Sequence, residues 1–404
     1  MGNAGSRPPI PGILDQWQSQ TKKLRIIHVG AGAAGLCFMY KVKTQLIDYE
    51  IVTYEKNSDI GGTWLERPAI PGIESFKGTL MHSAHWDPTA NCTDKTVAVL
   101  GTGSSAIQIV PHVQKVASKV KCFMRSSTWI APALPRIPVK LDEQPSASVD
   151  TVTDDQRLPE DEGQYYYTEQ EMKKLEQDPA FLLEYRKRIE FKFDQVFALF
   201  YKDSVASQQA VEHMIEVMKR RLKNHPELCQ RLIPSWPVGC RRLTPGPDYL
   251  EALIASNVEA LYADITSIDA SGLKTADDGQ HHAVGVFICA TGFDLAWTPH
   301  YPIVGRNGKS LQEAWAPWPN CYLGVAAPGF PNYWQMNGPR GNLGNGPVLS
   351  AVETQAEFVI KAIKKMQAHR IKILEVRQDI TERLNQRIDM WMQGAVWSAD
   401  CKSD

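Results

Sequence analysis

The sequence predicts an α/β protein made of two Rossmann-like dinucleotide-binding domains with a helical insertion. Two glycine turns carry most of that prediction: Gly30-Ala31-Gly32-Ala33-Ala34-Gly35 follows the apolar run Ile26 to Val29, and Gly101-Thr102-Gly103-Ser104-Ser105-Ala106 follows Val97 to Leu100. A third observation is the return of strand-like runs near residue 284, after a long stretch of helical periodicity. Each turn reads as a buried strand, a tight bend and a helix whose free N–H groups and positive dipole end accept a pyrophosphate. Two such turns with the right flanks imply two dinucleotides.

The strand that follows each turn separates the two sites. Tyr49 to Tyr54 ends at Glu55 and Lys56, and a carboxylate there accepts hydrogen bonds from a ribose diol, which suits FAD or NAD. Val120 to Met124 ends instead at Arg125 and Ser126, with no acid. A guanidinium there favours a 2′-phosphate, so the second site reads as NADP. An exposed arginine that merely closes a strand is the alternative.

The remaining elements follow in order. Residues 1–23 form an extended lead-in, whose Met1-Gly2-Asn3-Ala4-Gly5-Ser6 fits an N-myristoylation pattern at Gly2 as well as a disordered start. One acyl chain would give only weak membrane association. Residues 24–93 read as the first part of the first dinucleotide-binding domain, for FAD or NAD, and 94–140 as the first part of the NADP-binding domain. An acidic loop over about 141–165 leads into helices from about 166 to 230, where Met214 and Met218 fall on a core face. Residues 236–283 continue the NADP domain. Residues 284–404 return to the first domain through Val284 to Cys289 and Tyr322 to Val325, and close with a long helix over about 348–369 and a charged helical tail.

Composition narrows the function class. The chain has 404 residues, 43% of them apolar, and a net charge of −1, which gives no electrostatic case for nucleic acid as the partner. Eight cysteines without a C-x-x-C pair argue for reduced thiols and cytoplasmic residence. His82 and His85 could be read as a metal pair, but no third ligand accompanies them, so no metal is expected.

Several motifs together resemble the class B flavoprotein monooxygenases. They are the first glycine turn, Gly61-Gly62-Thr63-Trp64, the spaced set Phe76, Gly78, His82, Trp86 and Asp87, the second glycine turn, and Ala290-Thr291-Gly292-Phe293-Asp294. Within that class the chain is most similar to fungal Baeyer-Villiger monooxygenases of secondary metabolism, including those acting on polyketide ketones in aflatoxin-type mycotoxin pathways. The resemblance implies FAD and NADPH as cofactors, and a small-molecule ketone and O2 as reactants. It places Gly62, Thr63, Trp64 and Asp294 beside the FAD and makes the His82/Trp86 segment a link between the two nucleotide domains. It also implies that an arginine of Arg241-Arg242 stabilises negative charge developing at the flavin. Aligned on Gly239 that role falls to Arg242, with Arg241 as the fallback. Oxygenation of an amine or sulfide is the alternative within the class.

The chain departs from this family in two respects, one of which is that it stops at Asp404, shortly after Val396-Trp397-Ser398, where the family is expected to continue toward further aromatic sequence. Only Leu65 to Ser75 separate Trp64 from Phe76, where the family carries a long segment with further strands of the FAD domain. Such a shortening leaves a sheet with an open edge and exposed apolar faces, and makes a catalytically silent FAD/NADP-binding protein the non-enzymatic alternative.

Overall fold

A computed structural model describes residues 21–56, 71–132, 166–276, 279–292, 297–299, 301–341, 344 and 346–401, with the side chains of 192–194 excepted. Gly2, Gly62, Thr63, Trp64, Asp294 and the acidic loop lie outside the described residues. The strands are β1 (Leu24–Val29), β2 (Tyr49–Tyr54), β3 (Thr79–His82), β4 (Thr96–Leu100), β5 (Lys119–Phe123), β6 (Ile130–Ala131), β7 (Thr244–Pro245), β8 (Val258–Leu261), β9 (Ile265–Ile268), β10 (Gly272–Thr275), β11 (His281–Ala283) and β12 (Val286–Cys289). The helices are α1 (Ala33–Gln45), α2 (Ser104–Gln114), α3 (Glu169–Gln177), α4 (Pro179–Asp194), α5 (Val205–Arg221), α6 (Pro226–Leu232), α7 (Tyr249–Leu253), α8 (Leu311–Trp315), α9 (Val348–Ala368) and α10 (Gln378–Met392). No helix among the described residues is long and apolar enough to cross a membrane.

The chain divides into two compact units. The first takes residues up to 62, 297–342 and 348–385, and the second takes 63–296, 343–347 and the residues from 386 onward. In the first, β1 pairs with β2 in parallel, Leu24 opposite Tyr49 through Val29 opposite Tyr54. The helical spacing of apolar residues in α9 turns Ala356, Val359, Ile360 and Ile363 onto Phe38 and Val42 of α1 and onto Leu46 just after it. Burying each of the larger of these side chains is worth about 1.5–3 kcal/mol. At the edge of that seam Lys41 meets Glu357 at 2.6 Å and Glu353 at 3.0 Å, and these bonds hold the Glu357 carboxyl below its usual range.

The expectation that β1 is a buried strand is not met. Its residues alternate between half-buried and exposed, leaving Ile27 68% and Val29 50% exposed, because only one face of the β1–β2 pair is packed against α1 and α9. β4 does behave as expected: Val97, Ala98 and Val99 are fully buried.

In the second unit the parallel sheet runs in the order β3-β12-β4-β5-β8. Its side chains alternate between two cores, as a period of two requires. Val97, Val99, Val120, Cys122, Val286 and Ile288 face α2, α5 and α7, while Ala98, Leu100, Phe123, Phe287 and Cys289 face the antiparallel β9-β10-β11 meander. Met214 and Met218 are core residues of the first of these layers.

Three features differ from the sequence reading. The strand over Val286–Cys289, expected to open the return to the first domain, is instead flanked by β3 and β4, with Val286 opposite both Thr79 and Val97. The unit boundaries accordingly fall at 62/63 and 296/297 rather than at 93/94 and 283/284. Tyr322 to Val325 is a turn, closed by a Tyr322–Ala326 bridge with Leu323 and Gly324 both at positive φ. Cys240 and Cys401 form a disulfide, where eight free thiols were expected, and the 161-residue separation explains why no spacing motif announced it. On chain-entropy grounds a loop of that size gives about 5 kcal/mol of stabilisation.

The first turn requires glycine at Gly35, where a Cβ would lie 2.1 Å from the Gly30 carbonyl oxygen. Gly101 has φ +126° and a Cβ there would lie 2.3 Å from the Ala290 carbonyl oxygen. Neither neighbour is a side chain that can swing away. Gly35→Ala and Gly101→Ala are each expected to destabilise the fold by about 2–3 kcal/mol in denaturant titrations, whereas unchanged midpoints would show that these turns tolerate a side chain.

Candidate functional site

The two glycine turns have nearly the same geometry although they share few residues. Gly30 N–H donates to the Tyr54 carbonyl at 2.8 Å and Gly101 N–H to the Phe123 carbonyl at 2.9 Å, so each turn is anchored on the neighbouring parallel strand. Gly32 caps α1 with φ −76° and ψ −175°, and Gly103 caps α2 with φ −81° and ψ −177°. Neither N-cap glycine caps its helix start with a side chain, the arrangement in which first-turn N–H groups can serve an anion. Five other helices are capped by a side chain, through Thr168, Asp178, Ser204, His225 and Ser310. The two uncapped starts fit pyrophosphate groups in charge and in donor supply.

In the first unit the structure brings Gly30, Gly32, Ala33, Gly35, Glu55 and Lys56 to one end of the β1–β2 pair. Glu55 Oε2 accepts from Ala31 N–H at 2.6 Å. Its carboxylate therefore sits on the turn itself.

In the second unit Gly101, Gly103, Ser104, Ser105, Arg125 and Ser126 gather at the corresponding end of β4 and β5. Thr102 and Ser126 hydroxyls lie 3.5 Å apart, tying the glycine turn to the strand end. Beyond them is a hollow of about 220 Å³ lined by Arg125, Ser126, Ser127, Gln230, Arg231 and Tyr262. The Arg231 guanidinium lies over the Tyr262 ring at 5.0 Å, and burial pushes the Tyr262 hydroxyl up to about 12, so it stays neutral. Arg231 escaped the sequence reading. Its only signal is a basic residue in the last turn of α6, where charges are commonplace.

Arg242 comes to the same end of the second unit. Ile130 and Ala131 pair with Thr244 and Pro245, and Thr244 Oγ1 lies 2.6 Å from Ser104 Oγ at the start of α2. The turn bearing Arg242 is thus fixed beside the uncapped helix end. Arg221, buried on α5, steadies it from behind: Nη2 donates to the Gly246 carbonyl at 2.8 Å, and the same guanidinium makes a two-pronged pair with Glu251. Arg242 itself is exposed. Arg241 is half-buried and engaged, its Nε donating to the Cys401 carbonyl at 2.6 Å and its guanidinium 5.4 Å over the Trp236 ring.

His82 lies in β3 and His85 bridges back to it, while His82 Nδ1 accepts from Ala84 N–H at 3.2 Å. Trp86 is 46% exposed. Among the described residues no group of three or more His, Cys, Asp or Glu is placed to hold a metal ion.

The flavin-binding monooxygenase-like family matches residues 65–139, and the NAD(P)-binding Rossmann-like domain matches residues 29–92. Over these two stretches the chain is similar to flavin-binding monooxygenases and to NAD(P)-binding Rossmann-like domains. It is 27% identical to the FAD-binding monooxygenase tazF of Aspergillus terreus, over 94% of this chain and 82% of that protein. It is 29% identical to a Baeyer-Villiger monooxygenase of Pseudomonas aeruginosa, over 86% of this chain and 60% of that protein. Its fold is similar to that of OTEMO, solved in complex with FAD and NADP, with TM-score 0.71 and 19% identity over 94% of this chain and 91% of that one. Cyclohexanone monooxygenase in an open form gives TM-score 0.70 at 17% identity, covering 91% of this chain and 93% of that one.

A phosphate in the Arg125/Arg231 hollow would meet two guanidinium groups. Arg125→Ala and Arg231→Ala are each expected to weaken NADP⁺ binding about tenfold while leaving NAD⁺ nearly unchanged, as measured by calorimetry. An equal loss for both nucleotides would place the 2′-phosphate elsewhere.

Proposed function

We propose that this protein is an FAD- and NADPH-dependent monooxygenase that performs Baeyer-Villiger oxidation of a small-molecule ketone to an ester or lactone. The observation that carries the reading is the pairing of two uncapped glycine-turn helices with unlike strand ends. The acid Glu55 follows the first, where FAD would bind through Gly30, Gly32, Ala33 and Gly35. The cations Arg125 and Arg231 follow the second, where NADPH would bind through Gly101, Gly103, Ser104, Ser105 and Ser126. Gly62, Thr63, Trp64 and Asp294 complete the FAD contacts in this reading. The resemblance of its motifs to fungal Baeyer-Villiger monooxygenases extends this reading to secondary metabolism with a polyketide-derived ketone as substrate, and the absence of a C-x-x-C pair extends it to a cytoplasmic setting.

Bound together, the two cofactors would supply hydride transfer to the flavin and activation of O2. The chain's own part is electrostatic and positional. The Arg242 guanidinium is always protonated, and its five N–H donors hold negative charge that develops beside it during oxygen transfer. Ser104 and Thr244 fix the turn that carries it, and Arg221 holds that turn's far end. Arg241, with its Nε bound to a carbonyl, serves to position its neighbour.

A second reading, an FAD/NADP-binding protein without oxygenase activity, draws on the first unit. Ile27, Val29 and Tyr54 of the β1–β2 pair are exposed by 68%, 50% and 58%, as expected of a nucleotide domain short of strands. The two readings part in one experiment. Purified protein supplied with FAD, NADPH, air and a panel of cyclic ketones is expected to oxidise NADPH and release lactone. Arg242→Ala is expected to lose at least about 100-fold in product formation while NADPH oxidation persists. Undiminished product from the variant would remove Arg242 from catalysis. NADPH binding without any NADPH oxidation or product would favour the silent protein, and products from amines or sulfides alone would move the reaction to heteroatom oxygenation.

A further inference from the structure

The Cys240–Cys401 disulfide joins the residue directly before Arg241-Arg242 to a segment far along the chain, with Cα atoms 6.3 Å apart. The same two segments meet through the Arg241–Cys401 hydrogen bond and through Phe200. A Cβ on Gly239 would lie 2.9 Å from the Phe200 ring, and that ring stacks on Trp397 at 5.0 Å. Four residues after Cys240, Thr244 bonds Ser104 at the start of α2. The arginine turn is therefore held at one end by the glycine-turn helix and at the other by a covalent bond.

We propose that Cys240 and Cys401 form a reversible thiol–disulfide latch that sets the position of the Arg241-Arg242 turn. A dithiol reductant opens it in two exchanges. One reductant thiolate attacks the Cys401 sulfur and expels the Cys240 thiolate, which takes up a proton. The second reductant thiol then displaces Cys401 and leaves as a cyclic disulfide, so the protein gains two electrons and two protons and the reductant loses both. A low-molecular-weight disulfide reverses the sequence. Both sulfurs are buried, Cys240 fully and Cys401 to all but 1%, so exchange waits on local opening of residues 395–401. Burial raises the thiols of all six free cysteines, Cys122 and Cys289 to about 12, which makes them poor nucleophiles.

Opening the latch removes the tether that keeps the Cys401 carbonyl against Arg241. The consequence for nucleotide binding rests on the function proposed above, whereas the bond and the freedom of the turn do not. The full-length protein, air-oxidised, is expected to give a non-reduced tryptic peptide linking Cys240 to Cys401, and dithiothreitol is expected to raise its titratable thiols from six to eight. Reduction should speed trypsin cleavage after Arg241 and Arg242 about fivefold and weaken NADP⁺ binding by a similar factor. Cys401→Ser should show the fast cleavage whether or not reductant is present. Absence of the linked peptide, or equal cleavage rates in the oxidised and reduced protein, overturns the latch. Protein that cleaves as expected but binds no NADP⁺ in either state keeps the latch and defeats the nucleotide reading instead.

Discussion

The organising constraint in this molecule is a set of backbone N–H groups at two helix starts whose N-cap residues are glycines without a side-chain cap. Gly32 and Gly103 bend the chain into α1 and α2 with almost the same dihedrals, and each turn is pinned to the strand beside it by one backbone hydrogen bond. A helix start of this kind concentrates partial positive charge, and the favourable partner is an anion. What differs is the surrounding chemistry: an acid closes the first site and guanidinium groups close the second, the contrast on which the proposed assignment of two different nucleotides rests.

The two cradles rest on unequal foundations. The second is embedded in a five-stranded sheet packed on both faces, and the Arg242 turn is braced by Ser104, by β6 and by the buried Arg221 fork. Among the described residues the first stands on two strands, supported on one face by α1 and α9, with the Lys41–Glu357 pair at the edge of that support. Two-stranded pairs depend on such packing for their stability. The exposed Ile27 and Val29 mark the face that lacks it.

The legible parts of this structure were those set by local sequence. Strand, glycine turn and helix are neighbours in the chain, so both nucleotide units, the core placement of Met214 and Met218, and α9 could be read from spacing alone. The place of β12 in the sheet could not, because parallel pairing with β3 and β4 depends on crossovers rather than on the four residues of the strand. Tyr322 to Val325 has strand-forming residues, but Leu323 and Gly324 at positive φ turn it back on itself. Arg231, Arg221 and the Cys240–Cys401 bond all act through partners distant in sequence or on another element. Nothing near them in the chain marks them out.

The central claim is that one chain holds two different dinucleotides, one at each uncapped helix start. Titration calorimetry of the purified protein with FAD, followed by NADP⁺ on the flavin-loaded protein, tests it most directly. One FAD and one NADP⁺ per chain, with Gly32→Asp abolishing the first and Gly103→Asp the second, is the predicted result. Folded protein that takes up neither nucleotide, or both at a single start, would contradict it.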